Sequence, residues 1–91
     1  MSLDVLNNEV IFADIMDERL RAGLQWTEEF DAKNTPNDWV SYVTRYIGKA
    51  VDGSWNCEVF RENMVKAAGL CCAAIDWCDK VGGEMPKRHY D

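Results

Sequence analysis

The sequence predicts an all-α protein: three main helices in an antiparallel bundle, completed by oligomerisation. Three observations predict it. Apolar residues recur at three-and-four spacing in three segments joined by short connections. No segment shows the two-residue alternation of a strand. The last segment, residues 57–81 (CEVFRENMVKAAGLCCAAIDWCDKV), is apolar on more than one face and uncharged from Ala67 to Ile75. Such a helix must be covered on several sides. A chain of 91 residues makes one domain with a modest core, so a second copy is a natural supplement.

Composition narrows the function. With 47% hydrophobic and 29% charged residues the chain is globular, not disordered. A net charge of −6 excludes a general nucleic-acid binder, which needs a basic face to displace counterions. No apolar run approaches the ~20 residues of a membrane span. The opening MSLDVLNNEV has neither a basic n-region nor a signal h-region, so a cytoplasmic location is expected. The cysteines (Cys57, Cys71, Cys72, Cys78) lack C-x2-C spacing, and the one histidine, His89, lies in a polar tail. These thiols are expected to be small, buried apolar groups, with no metal and no cofactor.

The first helix is expected over about 9–25, with Asn8 as N-cap. Val10, Ile11, Phe12, Ile15, Met16, Leu20 and Leu24 would form its core face. Residues 26–34 (WTEEFDAKN) have no sustained period and are expected to be a loop pinned by Trp26 and Phe30. Its Glu28, Glu29 and Asp31 read as a solvated acidic run. The second helix, about 36–51, has the clearest start: Thr35 as N-cap, Pro36 at N1 and Asp38 at N3. Trp39, Val40, Val43, Tyr46, Ile47, Ala50 and Val51 repeat along it, before the turn signal Asp52-Gly53. Ser54 or Asn56 caps the third helix, 57–81, which Gly82-Gly83 ends. The tail, 84–91, is expected to be mobile.

The third helix carries two apolar stripes. One is Phe60, Met64, Ala67, Ala68, Cys71, Ile75 and Cys78; the other is Leu70, Ala73, Ala74, Trp77 and Val81. Leu70, Ala73, Trp77 and Val81 are the expected subunit interface. Gly69 costs ~1 kcal/mol against alanine in mid-helix, which close helix packing would justify.

Catalytic motifs are weak: no nucleophilic set, no Gly-rich phosphate loop and no strand to seat one. Three segments carry a resemblance: ADIMDERLRAGLQW (13–26), TPNDWVSYVTRYIGKA (35–50) and FRENMVKAAGLCCAAIDWCDK (60–80). In this order the chain resembles small phage and prophage proteins distantly similar to MazG-like, all-α nucleoside triphosphate pyrophosphohydrolases. That resemblance implies a MazG-like or related bundle. In the enzymes E-E-x-x-E on one helix and E-x-x-D on the next hold magnesium against a triphosphate. Here RYIGK (45–49) matches the first motif, placing Arg45, Tyr46 and Lys49 where carboxylates belong. Glu62 matches the first Glu of the second motif, and Val65 stands where Asp is required.

The resemblance thus implies a fold that binds without cleaving. Arg45, Lys49, Arg61 and Lys66 would neutralise phosphate. Trp39, Trp55, Tyr42 and Tyr46 would stack on a base, in a phage protein that sequesters a host signalling nucleotide. The plainer reading makes Arg45 and Lys49 a solvated edge paired with Asp38 or Asp52, pairs Arg61 with Glu58, and puts Trp39, Trp55 and Trp77 in the core. Two further functions stay open: an acidic module docking on a basic host protein through Glu28, Glu29 and Asp31, and an active hydrolase with a rearranged metal site.

Overall fold

The computed structural model describes residues 5–25, 28–53 and 55–85. It is all-α, with three long helices and one short one: α1 (Val5–Gln25), α2 (Glu28–Ala32), α3 (Pro36–Lys49) and α4 (Cys57–Val81). The helix α1 starts a turn earlier than its charge pattern suggests, so Asn8 lies inside it and caps nothing. The stretch expected to be a loop contains α2. The side chains of Leu24 and Phe30, with Trp26 and the tail beyond Met85 including His89, lie outside the described residues.

Local chemistry sets the helix ends. At α3 the Asp38 carboxylate accepts from the Thr35 backbone N–H at 2.9 Å and from its hydroxyl at 3.2 Å. Pro36 follows at the first position, where no N–H is needed. At α4 Asn56 is the cap: its Oδ1 accepts from the N–H groups of Glu58 at 2.8 Å and Val59 at 3.3 Å. The far end closes on Gly82 at φ 63°, a backbone conformation that favours glycine.

The helix α4 is the hub, packing against α3 and α1. Trp39, early in α3, meets Trp77, late in α4, with ring centroids 6.1 Å apart. Tyr46, late in α3, lies beside Lys66. Those two helices are therefore antiparallel. Against α1 the contacts advance together: Asp14 pairs with Arg61, and Glu18 lies over Gly69. That is the up-down-up order of a three-helix bundle.

Burial is sparse. Among the described residues the buried hydrophobic ones are Trp39, Ala50, Ala67 and Trp77. The apolar positions of α1 do not share one core face: Ile11 and Ile15 are half-buried, while Val10, Phe12, Met16 and Leu20 are exposed. Val40 and Ile47 on α3 are exposed, as is Val51 just beyond it; α3 ends at Lys49 with Ala50 buried behind it. Trp55 is 89% exposed, not core.

The two stripes of α4 differ from expectation. Trp77 is buried within the chain, with Leu70 and Ala73 half-buried beside it; only Val81 of that set is exposed. The open stripe is the other one, with Phe60, Cys71, Ile75 and Cys78 exposed. The thiols of Cys57, Cys71 and Cys78 are accordingly exposed and Cys72 half-buried, not buried as a set. No described helix is long and apolar enough to cross a membrane.

Truncating Trp77 to alanine removes the anchor of α3 on α4, and the expected loss is about 3–5 kcal/mol. By contrast, a Cβ at Gly69 meets the Glu18 Cγ at 3.4 Å and the Arg19 Cγ at 3.8 Å, ordinary contacts with flexible side chains. Gly69→Ala is expected to hold or gain stability, by up to ~1 kcal/mol from helix propensity. Urea unfolding of both variants checks the pair.

Candidate functional site

The three long helices leave a cleft of about 230 Å³ between them. Small residues of α4, Gly69 and Ala73, keep the space open, beside Leu70. The helix α1 contributes Glu18, Arg19 and Arg21; α2 contributes Asp31; α3 contributes Trp39 and Tyr46; α4 adds Lys66. Three cationic side chains thus face two carboxylates. The cleft carries a surplus of one positive charge in a chain whose net charge is −6.

These charges are partly engaged with one another. Arg21 grips Glu18 through both Nε, at 3.1 Å, and a terminal nitrogen. Hydrogen bonding to Arg21 holds the Glu18 carboxyl below its ordinary range, against a smaller opposing effect of burial. Lys66 lies 3.4 Å from Glu62, one turn back on α4, and 5.8 Å from the centre of the Tyr46 ring. Asp31 is half-buried, and burial pushes its carboxyl up, with the nearby Arg19 acting the other way. Asp31 therefore does not share an open acidic surface with Glu29, which is exposed; the Glu28 side chain lies outside the described residues.

Of the side chains singled out in the sequence, Trp39, Tyr46 and Lys66 meet in this cleft. Arg61 does not reach it. It pairs with Asp14 of α1 at 2.7 Å, across the helix interface, where Glu58 was the expected partner. Arg45 is exposed and outside the cleft; Lys49 is exposed with its Nζ 5.1 Å from the outer Tyr46 ring centre. Tyr42 serves structure: its hydroxyl donates to the Oδ1 of buried Asn34 at 3.2 Å, and its ring stands edge-on to Trp39 at 6.2 Å. Burial, and then the carboxylates of Asp38 and Asp31, raise the Tyr42 hydroxyl above its ordinary value. Sequence reasoning missed Arg19 and Arg21, and set Asp31 on an acidic docking surface instead of in the cleft. The signal was faint: two arginines on the polar side of α1 and one acid within an acidic run.

Among the described residues, no three His, Cys, Asp or Glu side chains gather as a metal-binding group. A second depression, of about 300 Å³, lies on the other flank of α1 and α4. It is apolar apart from Arg61, lined by Ile11, Ile15, Phe60, Met64 and Ala68 among others. No family model, no curated protein and no solved structure matches the chain. The MazG-like resemblance therefore rests on the three segments quoted above alone.

Burial gives Asp31 a measurable signature. A carboxyl whose folded-state pKa lies above its unfolded value adds stability below the unfolded value, and loses it as pH rises through the folded one. Asp31→Asn is thus expected to stabilise the fold at pH 7. The gain should shrink as pH falls into the range where Asp31 itself takes up a proton. Thermal melts of both chains between pH 3 and 8 check the sign.

Proposed function

We propose that this protein binds without catalysing, and that its cleft takes a small phosphate-bearing molecule of nucleotide type. One observation carries the reading: Lys66 and Tyr46 meet Arg19 and Arg21 at a single cleft that also contains Trp39. Guanidinium and ammonium groups neutralise phosphate, and an aromatic face accepts a flat ring. Pockets that enclose a drug-sized ligand measure ~300–1,000 Å³. A cleft of about 230 Å³ holds the phosphate and the group next to it, and leaves the rest of the ligand outside.

Cleavage is not assigned. Glu62, the one carboxylate that matches the hydrolase pattern, faces Lys66 at 3.4 Å. The phage setting and the sequestering of a host signalling nucleotide extend this reading through the MazG-like resemblance. Docking on a basic host protein through the acidic run finds less support, because Asp31 lines the cleft.

A thermal-shift screen in EDTA, with inorganic phosphate and nucleoside mono-, di- and cyclic phosphates, tests the reading. A ligand at a hundred times its Kd adds ~2.7 kcal/mol to stability. On a domain of this size that raises Tm by roughly 10 °C or more. Lys66→Glu is expected to abolish the shift, and Arg45→Glu, outside the cleft, to leave it. No shift from any ligand overturns the reading, as does equal loss in both variants, which marks a diffuse surface effect.

A further inference from the structure

The cleft does not end at Ala73. A hollow of about 230 Å³ adjoins it, walled by α1, α2 and α4. Arg19, Asp31 and Ala73 line both spaces, so the two meet at these residues. The hollow adds Ala32, Trp77 and Val81, with an Asp76–Lys80 ion pair at 3.0 Å. Charge separates the two halves. The cleft has one positive charge in surplus, whereas the hollow balances Arg19 and Lys80 against Asp31 and Asp76. A phosphate is therefore drawn to the cleft and a neutral ring to the hollow. Joined, the two fall within the ~300–1,000 Å³ of pockets that enclose a whole ligand. The residues at the junction are those that the fold leaves unpaired. Arg21, Lys66 and Lys80 each face a carboxylate on their own helix, Glu18, Glu62 and Asp76 respectively. Arg19 and Asp31 are half-buried, yet neither side chain has a hydrogen-bond or ion-pair partner among the described residues. Withdrawing such groups from water without a partner costs stability. A ligand that meets both brings an anion to Arg19 and hydrogen-bond donors to Asp31.

We propose that cleft and hollow form one bipartite site for a guanine nucleotide, its phosphate at Arg19 and Lys66 and its base in the hollow, where Asp31 accepts from N1–H and the exocyclic amino group. The assignment rests on the phosphate reading of the cleft. Lys66 and Ala73 lie about 10 Å apart along α4 at 1.5 Å per residue, which is of the order of a nucleotide's reach from phosphate to base. Trp77, Ala73 and Val81 give the ring an apolar wall. Guanine is chosen by its edge. It presents two donors side by side, which the two oxygens of one carboxylate accept together. Adenine and cytosine place a ring nitrogen acceptor next to the amino group, and its lone pair meets a carboxylate oxygen with repulsion. Hypoxanthine keeps the N1–H and lacks the amino group.

Isothermal titration in EDTA tests the assignment, with inorganic phosphate and the monophosphates of guanosine, inosine, adenosine and xanthosine as probes. Guanosine monophosphate is expected to bind at least ~10-fold more tightly than inosine monophosphate, the effect of one hydrogen bond to a charged group. Asp31→Asn, a change expected to stabilise the fold, is expected to abolish that difference. It should also turn the preference to xanthosine monophosphate, because an amide offers one acceptor to N1–H and one donor to the neighbouring carbonyl oxygen. A misfolded variant cannot produce such a gain. Equal affinity for guanosine and inosine monophosphates overturns the assignment, as does a guanosine preference that survives Asp31→Asn. In either case binding of inorganic phosphate keeps the cleft reading intact. Silence from every phosphate overturns both.

Discussion

The fold hangs on one contact, the indole of Trp39 against the indole of Trp77. These are the large side chains that the described chain buries almost completely, and they join the start of α3 to the end of α4. What surrounds them follows. The capping box that starts α3 is buried beside the pair, with Asn34 and Thr35 at 5% and 4% exposure. Tyr42 stands edge-on to Trp39 and ties α3 back to Asn34. The arrangement has a cost. The Trp39 Nε1–H and the Asn34 side-chain NH₂ are buried without an acceptor among the described residues, and an unmet buried donor costs about 1–3 kcal/mol. A tryptophan pair buries enough apolar area to absorb that.

Among the described side chains of α1 none is buried. It lies on Gly69 through the stems of Glu18 and Arg19, and it reaches the start of α4 through an exposed Asp14–Arg61 pair. Exposed ion pairs are worth about 0–1 kcal/mol. The half-buried Ile11 and Ile15 add a little apolar contact. The gaps on its two sides differ in chemistry. Toward α3 lies the charged cleft; on the other flank lies the apolar groove.

The sequence disclosed what local chemistry decides. Thr35, Pro36 and Asp38 mark the start of α3, Asn56 starts α4 and Gly82 stops it, because a cap needs only its own few residues. The helical class, too, was legible from periodicity. Which stripe turns inward was not. Periodicity fixes angles around a helix axis but not the neighbour, and the two stripes of α4 are alike in hydrophobicity. Trp77 decided the matter through a partner 38 residues away. For the same reason Phe12, Met16 and Leu20 read as core, though they follow one another along an outer line of α1. In the cleft, Tyr46 and Lys66 were legible as candidates. Arg45, one residue from Tyr46, points about 100° away from it, so it could not share the site. Asp31 was hidden by its acidic neighbours, since a charge run does not tell which member turns inward.

The helix α4 carries both open faces, and their placement decides whether they compete. Gly69 and Ala73 line the cleft, while Cys71 and Ile75 lie on the open stripe. Two residues apart on a helix is about 200° of rotation, so the two faces look in nearly opposite directions. A molecule held in the cleft therefore leaves the stripe uncovered. A ligand bridging Arg19 or Arg21 to Lys66 would tie α1 to α4 across the cleft. Such a bridge stabilises the folded chain by the ligand's own affinity.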